Sequence, residues 1–154
     1  MNIKEIMQLT DPVDFGSEIT EYLDDKTDYG DNLDILNEQE ATVFFVEELQ
    51  MEVMNGGFDQ YFFNSSGNNW RKAIPALREI GADKIADLLI KASEVIGCEL
   101  PEDQDQRQDN MNEKTREGYE DDLDELDDIF YEDEEYIDQR VFAYCKKHSD
   151  KFIE

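Results

Sequence analysis

A helical pattern of apolar residues between Asn37 and the paired glycines at 56–57 is the strongest structural signal in the chain. Residues there alternate faces every three or four positions, which is the spacing of an α-helix: Ala41, Phe44, Phe45, Glu48, Met51 and Glu52. Asn37, with Glu40 three residues later, resembles a capping box that opens a helix. Glycine can adopt the left-handed geometry that ends one. The pattern therefore predicts a long, mostly buried helix that ends at the paired glycines.

The same spacing recurs in the rest of the chain, with no β-hairpin signal and no internal repeat. It predicts helices at Pro12 to about Asp24, Phe58–Phe63, Asn69–Ile80 and Ala82–Ile96, and a pair in the last third joined near Asp133 and Glu134. Pro75 lies within the predicted helix Asn69–Ile80, so it either kinks this helix or marks its true start. Polar stretches at 25–37 and 98–112 are predicted exposed loops. We therefore expect an all-α fold, a single compact multi-helix domain over 1–154 with a strongly acidic surface.

The balance of charge excludes several classes of partner. The chain has 41 Asp and Glu residues against 14 Lys and Arg, a net charge of −27. Nucleic acids and anionic membranes attract proteins through Lys and Arg, so direct binding to either is not expected. Aromatic residues make up 11% of the chain, which is not the composition of a disordered segment. We expect a packed core under an acidic coat, and a basic partner.

Signals for membrane insertion, disulfides, metals and catalysis are weak. No apolar run approaches the roughly 18 residues that span a bilayer, and residues 1–10 lack the apolar core of a signal peptide, so we expect a cytoplasmic protein.

Cys98 and Cys145 provide neither a disulfide framework nor a four-ligand zinc site. An EF-hand loop around Gly30 fails because Leu36 stands where the bidentate Glu belongs. His148, the single histidine, is expected at a helix end. No cofactor, metal or enzymatic activity is therefore predicted.

The segment 117–138 concentrates the negative charge, with 13 acids in 22 residues and no Lys or Arg. If helical, it would present about one charge per 2.5 Å of axis, against one per about 1.7 Å in duplex DNA. Carboxylates at that density can stand in for phosphates before a DNA-binding surface. The predicted phosphate-mimicking, partner-binding residues are Glu117, Glu120, Asp121, Asp122, Asp124, Glu125, Asp127, Asp128, Glu132, Asp133, Glu134, Glu135 and Asp138.

A second stretch, Asp28–Asp59, also lacks Lys and Arg, and the sequence leaves open whether the two stretches form one surface. A simpler interpretation of such runs is a solvated face that keeps the protein soluble. Adaptation to a salty cytoplasm selects for acids as well, although it should coat all surfaces. Like charges on adjacent helical turns destabilise a helix, and Arg71–Lys91 carries five basic residues. The uneven distribution favours a dedicated function.

The segment 55–67, which reads NGGFDQYFFNSSG, closely resembles the signature of the bacterial DNA-mimic-protein-19-like domain family. The resemblance continues through Ala76–Ala82, Pro101–Asp103, Arg107, Leu126–Asp127, Tyr144 and His148. It implies a compact all-α domain. The signature itself describes a packed corner, so a structural role is expected for Asn55, Gly56, Gly57, Phe58, Gln60, Tyr61, Phe62, Phe63, Asn64, Ser65, Ser66 and Gly67.

The resemblance also implies a function. The family's namesake looks like duplex DNA to a helix-turn-helix transcription factor and keeps that factor off its operator. We therefore expect a non-enzymatic DNA mimic that competitively inhibits a basic DNA-binding protein, a transcription factor or a nucleoid protein, and acts as a monomer or homodimer. An immunity or inhibitor protein that neutralises a basic toxin such as a nuclease would use the same electrostatics. A hydrolase built on the Asp-rich loops and an acidic scaffold domain are further alternatives.

Overall fold

Helix α3, Glu38–Phe63, packs against most of the other helices. In the computed structural model, which describes residues 1–115 and 118–153, its side chains are buried on several faces, including those of Val46 and Leu49. The predicted capping box is present. The Asn37 side chain accepts a hydrogen bond from the Glu40 N–H at 2.9 Å, and the Glu40 carboxylate accepts one from the Asn37 N–H at 3.1 Å. The pattern in the sequence therefore located the start of α3 correctly.

Two glycines interrupt α3 where the sequence predicted its end. Gly56 and Gly57 leave helical geometry, and Gly57 has a φ of +76°, which residues with a side chain rarely adopt. The helix resumes at Phe58 and continues to Phe63, in agreement with the short aromatic helix predicted there. In this last part of α3, Phe58, Tyr61 and Phe62 are completely buried.

The N-terminal helices are α1, Ile3–Ile6, and α2, Pro12–Thr27. The Asp11 side chain caps α2 by accepting hydrogen bonds from the first backbone N–H groups of the helix. α2 continues three residues beyond the predicted Asp24, because the left-handed conformation that ends it occurs at Asp28, with φ +52°. The predicted loop at 25–37 is therefore shorter, and it contains a 3₁₀ turn at Leu33–Ile35.

The predicted loop at 98–112 is wrong over most of its length, because helix α6 occupies Gln104–Thr115. α6 has almost no apolar residues, so its sequence lacks the periodicity that reveals an amphipathic helix. Two side chains one turn apart, Arg107 and Met111, are buried with 0% and 1% exposure. The burial of Arg107 and Met111 attaches this polar helix to the rest of the fold.

The remaining helices follow the predicted order, and the described residues contain no β-strand, which confirms the all-α class. Their bounds are α4 Trp70–Glu79, α5 Asp83–Ile96, α7 Glu120–Tyr131 and α8 Ile137–Lys147, with 3₁₀ turns at Ser65–Asn69 and Ser149–Lys151. Gly81, with φ +85°, separates α4 from α5 as predicted. α4 begins at Trp70, so Pro75 lies inside the helix rather than at its start.

Aromatic side chains join α7 to the break in α3. The Phe58 ring stacks on Phe62 at a centroid distance of 6.5 Å and meets Phe130 of α7 edge-to-face at 5.7 Å. Phe62 in turn contacts Trp70 at the start of α4. These contacts fix the position of α7 against α3. Within the described residues, no helix combines the length and the apolar character needed to cross a membrane.

Candidate functional site

Helix α7 has an inward face that packs on the core and an outward face that is acidic. Leu123, Asp127 and Phe130 are buried at helical spacing, against α3 and α5. The outward face carries six exposed acids: Glu120, Asp121, Asp122, Asp124, Glu125 and Asp128. The helix has 12 residues and none of them is basic. Because a helix rises about 1.5 Å per residue, this face presents about one charge per 3 Å of axis.

The structure separates the 13 acids predicted to bind a partner by their environment. The eight exposed ones are Glu120, Asp121, Asp122, Asp124, Glu125, Asp128, Glu132 and Glu134. Asp133 and Asp138 are half-buried, and Asp127 and Glu135 are buried. Glu117 lies outside the described residues. The accessible part of the predicted set is therefore the outward face of α7 and the joint that follows it.

Asp127 faces the interior and caps the second part of α3. Its Oδ1 accepts a hydrogen bond of 2.8 Å from the backbone N–H of Phe58, the first helical residue after the glycine break. N–H groups at a helix start have no acceptor within the helix, so a carboxylate there satisfies one of them. Burial raises the pKa of Asp127, the hydrogen bond from Phe58 lowers it, and the nearby charge of Asp124 raises it. Asp127 therefore has a structural role.

The joint between α7 and α8 uses two acids as helix caps. Glu135 accepts a hydrogen bond of 2.7 Å from the N–H of Ile85, in the first turn of α5. The residue before α5, Ala82, offers no side-chain cap, so Glu135 supplies one from a distant part of the chain. Asp133 accepts a hydrogen bond of 3.1 Å from the N–H of Ile137, where α8 begins. Both acids therefore position helices.

Replacing Gly57 with Ala should destabilise the protein strongly. A Cβ at this position would lie 2.2 Å from Oδ2 of Asp127, in addition to the strain of the positive φ. We expect Gly57→Ala to lower the free energy of unfolding by about 2–4 kcal/mol in urea unfolding followed by circular dichroism. Gly118→Ala is the matched control, since Gly118 has φ +75° but open space around it, and it should cost about 1 kcal/mol. Equal losses would contradict the close packing of Asp127 on the break.

The signature corner, residues 55–67, is organised around Arg107. The Arg107 side chain is completely buried and donates hydrogen bonds to the backbone carbonyls of Phe62, Asn64 and Glu102. Gly67 leaves the space that the guanidinium needs, because a Cβ there would lie 2.7 Å from the Nε atom. Arg107 thus joins the signature corner to the loop before α6.

Comparison with known proteins shows the family of the chain. The family model described as DMP19-like protein matches residues 34–148. The chain belongs to the DMP19-like protein family. The matched region contains α3 to α8, and with them the glycine break, Arg107 and the acidic face of α7. The family resemblance seen in the sequence is thereby confirmed. No curated protein and no solved structure matches the chain.

Two carboxylates on α3 of this DMP19-like chain are not among the predicted site residues. Glu47 is buried and Glu48 is partly buried. Burial raises the pKa of each to about 8, and neighbouring carboxylates raise it as well. The stretch 28–59 contains no Lys or Arg, so a cation that pairs with an inward acid must come from elsewhere in the chain, as Lys26 does for Glu40. The helical pattern identified this segment as buried but not the carboxylates within it.

The two acidic stretches of the DMP19-like chain meet near the start of α7. The Tyr119 hydroxyl donates a hydrogen bond of 2.9 Å to Asp59, which is exposed. The charge of Asp59 also contributes to raising the pKa of Asp127. One acid of the 28–59 stretch therefore extends the acidic face of α7. Other acids of the same stretch, Glu47 and Glu48, line a cavity beside α2 instead.

The part of the chain that the structure describes contains no group of three His, Cys, Asp or Glu side chains arranged to hold a metal ion. Cys98 is exposed and Cys145 is buried, and both are free thiols. Burial raises the pKa of Cys145 far above its ordinary value. Six exposed acids on the outward face of α7 form no ion pair with the other described residues.

Proposed function

We propose that this protein is a non-enzymatic DNA mimic whose carboxylates occupy the phosphate-binding surface of a basic DNA-binding protein, such as a helix-turn-helix transcription regulator, and inhibit it competitively. The observation that carries the proposal is the outward face of α7, with six exposed acids and no basic residue on a helix whose other face is packed in the core. Membership of the DMP19-like family is compatible with this function.

The acidic face is preorganised for binding. Phe130 and Asp127 hold α7 against Phe58, by ring contact and by hydrogen bond. Because the carboxylates already lie on an ordered helix, a partner loses little of its binding free energy to ordering them. Ile129 and Tyr131, exposed to 51% and 43%, lie among the acids and offer apolar contact area. A charged rim around exposed apolar residues is typical of a protein interface.

Among the ion pairs formed by the described residues, one lies at the edge of the acidic face and none involves the six exposed acids of α7. Glu134 in the joint lies 3.7 Å from the Nζ of Lys84, and both side chains are largely exposed. Exposed ion pairs of this kind contribute little, so Lys84 neutralises little of the charge of Glu134. Asp59 adds a further exposed carboxylate near the start of α7. A basic surface would meet this field before contact, and high salt should weaken binding steeply.

Charge reversal on the α7 face tests the proposal. Asp121, Asp124 and Asp128 are exposed and share one side of the helix, so Asp121→Lys, Asp124→Lys and Asp128→Lys are combined in one variant. The wild type, immobilised and exposed to a lysate of the source organism, should retain a DNA-binding protein that duplex DNA releases. The triple variant should bind the captured protein about tenfold more weakly at physiological salt, because three carboxylates no longer contact the basic groups of that protein. Asp127 is left intact because its reversal would test folding.

The matched control reverses three exposed acids elsewhere. A variant combining Glu21→Lys, Glu94→Lys and Asp109→Lys has the same net charge and should bind within about twofold of the wild type. In a gel-shift assay, the wild type but not the α7 variant should release the captured protein from its DNA. Equal weakening by both variants would contradict the assignment to α7. Capture of a nuclease whose cleavage activity the wild type abolishes, instead of a transcription factor or nucleoid protein, would favour the inhibitor alternative.

A further inference from the structure

A cavity of about 150 Å³ lies between α2, α3 and the 3₁₀ turn at Ser65–Asn69. Its lining contains four carboxylates and no basic residue: Asp24, Glu47, Glu48 and Glu52. Tyr29 and Met51, which also line it, are 77% and 51% exposed, so they form its open side. The cavity therefore combines an acidic interior with an apolar entrance. None of its lining residues lies on α7, so the cavity is separate from the acidic face of the proposed DNA mimic.

Glu47, one of the carboxylates that line this cavity and also a neighbouring one beside Asp138, has a buried oxygen without a partner in the described part of the chain. Glu47 is only 8% exposed, and its Oε1 has no hydrogen-bond partner among the described residues. Its Oε2 accepts a hydrogen bond of 3.2 Å from the Thr20 hydroxyl. None of the ion pairs formed by the described residues involves the four cavity carboxylates. Since an unsatisfied buried acceptor is costly, the cavity has the character of a site for a hydrogen-bond donor that carries positive charge.

Amide side chains hold two of the carboxylates in position. Glu52 accepts hydrogen bonds from Gln60 at 2.6 Å and from Asn64 at 3.3 Å. Glu48 accepts one of 3.0 Å from Asn69. These amides orient the carboxylates without neutralising them, because an amide carries no charge. Gln60 and Asn64 belong to the signature corner, so polar signature residues shape the cavity in addition to the aromatic ones that pack the core.

We propose that this cavity binds the ammonium group of a primary alkylamine, with the apolar stem against Tyr29 and Met51. The described residues contain no three side chains arranged to hold a metal ion, which favours a larger organic cation. The volume is below the roughly 300 Å³ at which sites for drug-sized ligands begin, so it suits a head group and a few carbons. The amine has two possible sources, a Lys side chain of a protein partner or a free polyamine.

Binding of an ammonium ion should release protons. Burial raises the pKa of Glu47 and Glu48 to about 8, so both carboxyls are largely protonated in the empty cavity at neutral pH. The titratable groups around them are Asp24 on α2, Tyr29 after it, Glu52 and Tyr61 on α3, and Asp138 and Cys145 on α8. A bound cation favours the ionised carboxylates. Affinity should therefore rise between pH 6 and 8.5, where an alkylamine with a pKa of about 10.4 stays charged.

Calorimetric titration of the full chain with n-butylammonium chloride at pH 8.5 and low salt tests the site. We expect saturable binding of one equivalent, weakened at least about tenfold by Glu48→Gln. Glu94→Gln, which removes the same charge from an exposed position on α5, should change affinity less than about twofold. Titrations with N-acetyl-lysine methylamide and with putrescine distinguish the sources. Tighter binding of the lysine derivative indicates a protein side chain, and tighter binding of putrescine indicates a free polyamine.

A second variant keeps the test decisive if Glu48→Gln fails to fold. Met51→Lys changes an exposed residue at the entrance and brings an ammonium group within reach of the carboxylates. It should raise the melting temperature and abolish binding of n-butylammonium. The proposal is overturned if the wild type shows no saturable binding, if Glu48→Gln and Glu94→Gln weaken it equally, or if Met51→Lys leaves both stability and amine binding unchanged.

Discussion

Replacing Arg107 with Met should lower the free energy of unfolding by on the order of 4 kcal/mol or more. The guanidinium is completely buried and donates hydrogen bonds to three backbone carbonyls at 3 Å or less, those of Phe62, Asn64 and Glu102. Met fills much of the same volume but donates no hydrogen bond, so these buried acceptors would lose their partner. Urea unfolding followed by the fluorescence of Trp70, the one tryptophan in the chain, measures the loss close to the corner.

Arg71→Met is the matched control for this experiment. Arg71 also contacts the segment before α6, with one hydrogen bond of 3.3 Å to Leu100 and an ion pair of 3.7 Å to Glu102, but about half of its side chain is exposed. Its replacement should cost about 1 kcal/mol or less. Arg107→Lys keeps the charge without the planar fork, and should fall between the two. Similar losses for Arg71→Met and Arg107→Met would contradict the central role of Arg107.

The folded protein should lose stability as the pH rises from about 4.5 to about 8. Burial raises the pKa of Glu47 and Glu48 to about 8 from the ordinary value of 4.5, so in this range the folded state binds more protons than the unfolded state. A group whose pKa is raised by folding adds stability below its unfolded pKa and loses it as the pH rises through the folded pKa. The double variant Glu47→Gln and Glu48→Gln should lose less, by on the order of 3 kcal/mol between pH 5 and 8.

Urea unfolding at constant ionic strength from pH 5 to 8 checks this expectation. The excess of 41 acids over 14 basic residues also destabilises the fold as pH rises, so a control for general repulsion is needed. A double variant of Glu21→Gln and Glu94→Gln, two exposed acids, changes the net charge equally and should keep the slope of the wild type. Identical slopes for both double variants would show that the buried carboxylates do not cause the effect.

Local patterns in the sequence were sufficient for most of the helices. The capping box at Asn37 and the glycines at 56–57 and 81 act within a few residues of themselves, so their geometry can be inferred without knowledge of the partner elements. The sequence patterns did not predict α6, because its contact with the rest of the fold includes the buried side chain of Arg107. Arginine is rarely buried in proteins. The acceptors that permit the burial of Arg107, such as Phe62 and Asn64, lie 45 and 43 residues away.

The candidate site was predictable to a similar degree. The run of acids indicated an acidic helix, and the spacing of Leu123 and Phe130 indicated which side faces the core. These two patterns did not distinguish acids on the proposed partner surface from acids that cap other helices. Asp127 caps a helix 69 residues away, and Glu135 caps one 50 residues away. Their roles depend on which backbone N–H groups the fold brings to them.

The sequence by itself determined the all-α class, the family, the break in α3 and the concentration of acids on α7, because each depends on residues close together in the chain or on composition. Only the tertiary structure decided which acids are buried, and with that the cavity beside α2 and the role of Arg107. The physical reason is that the free energy of a buried charge depends on its solvation and on distant hydrogen-bond partners, and neither is encoded locally.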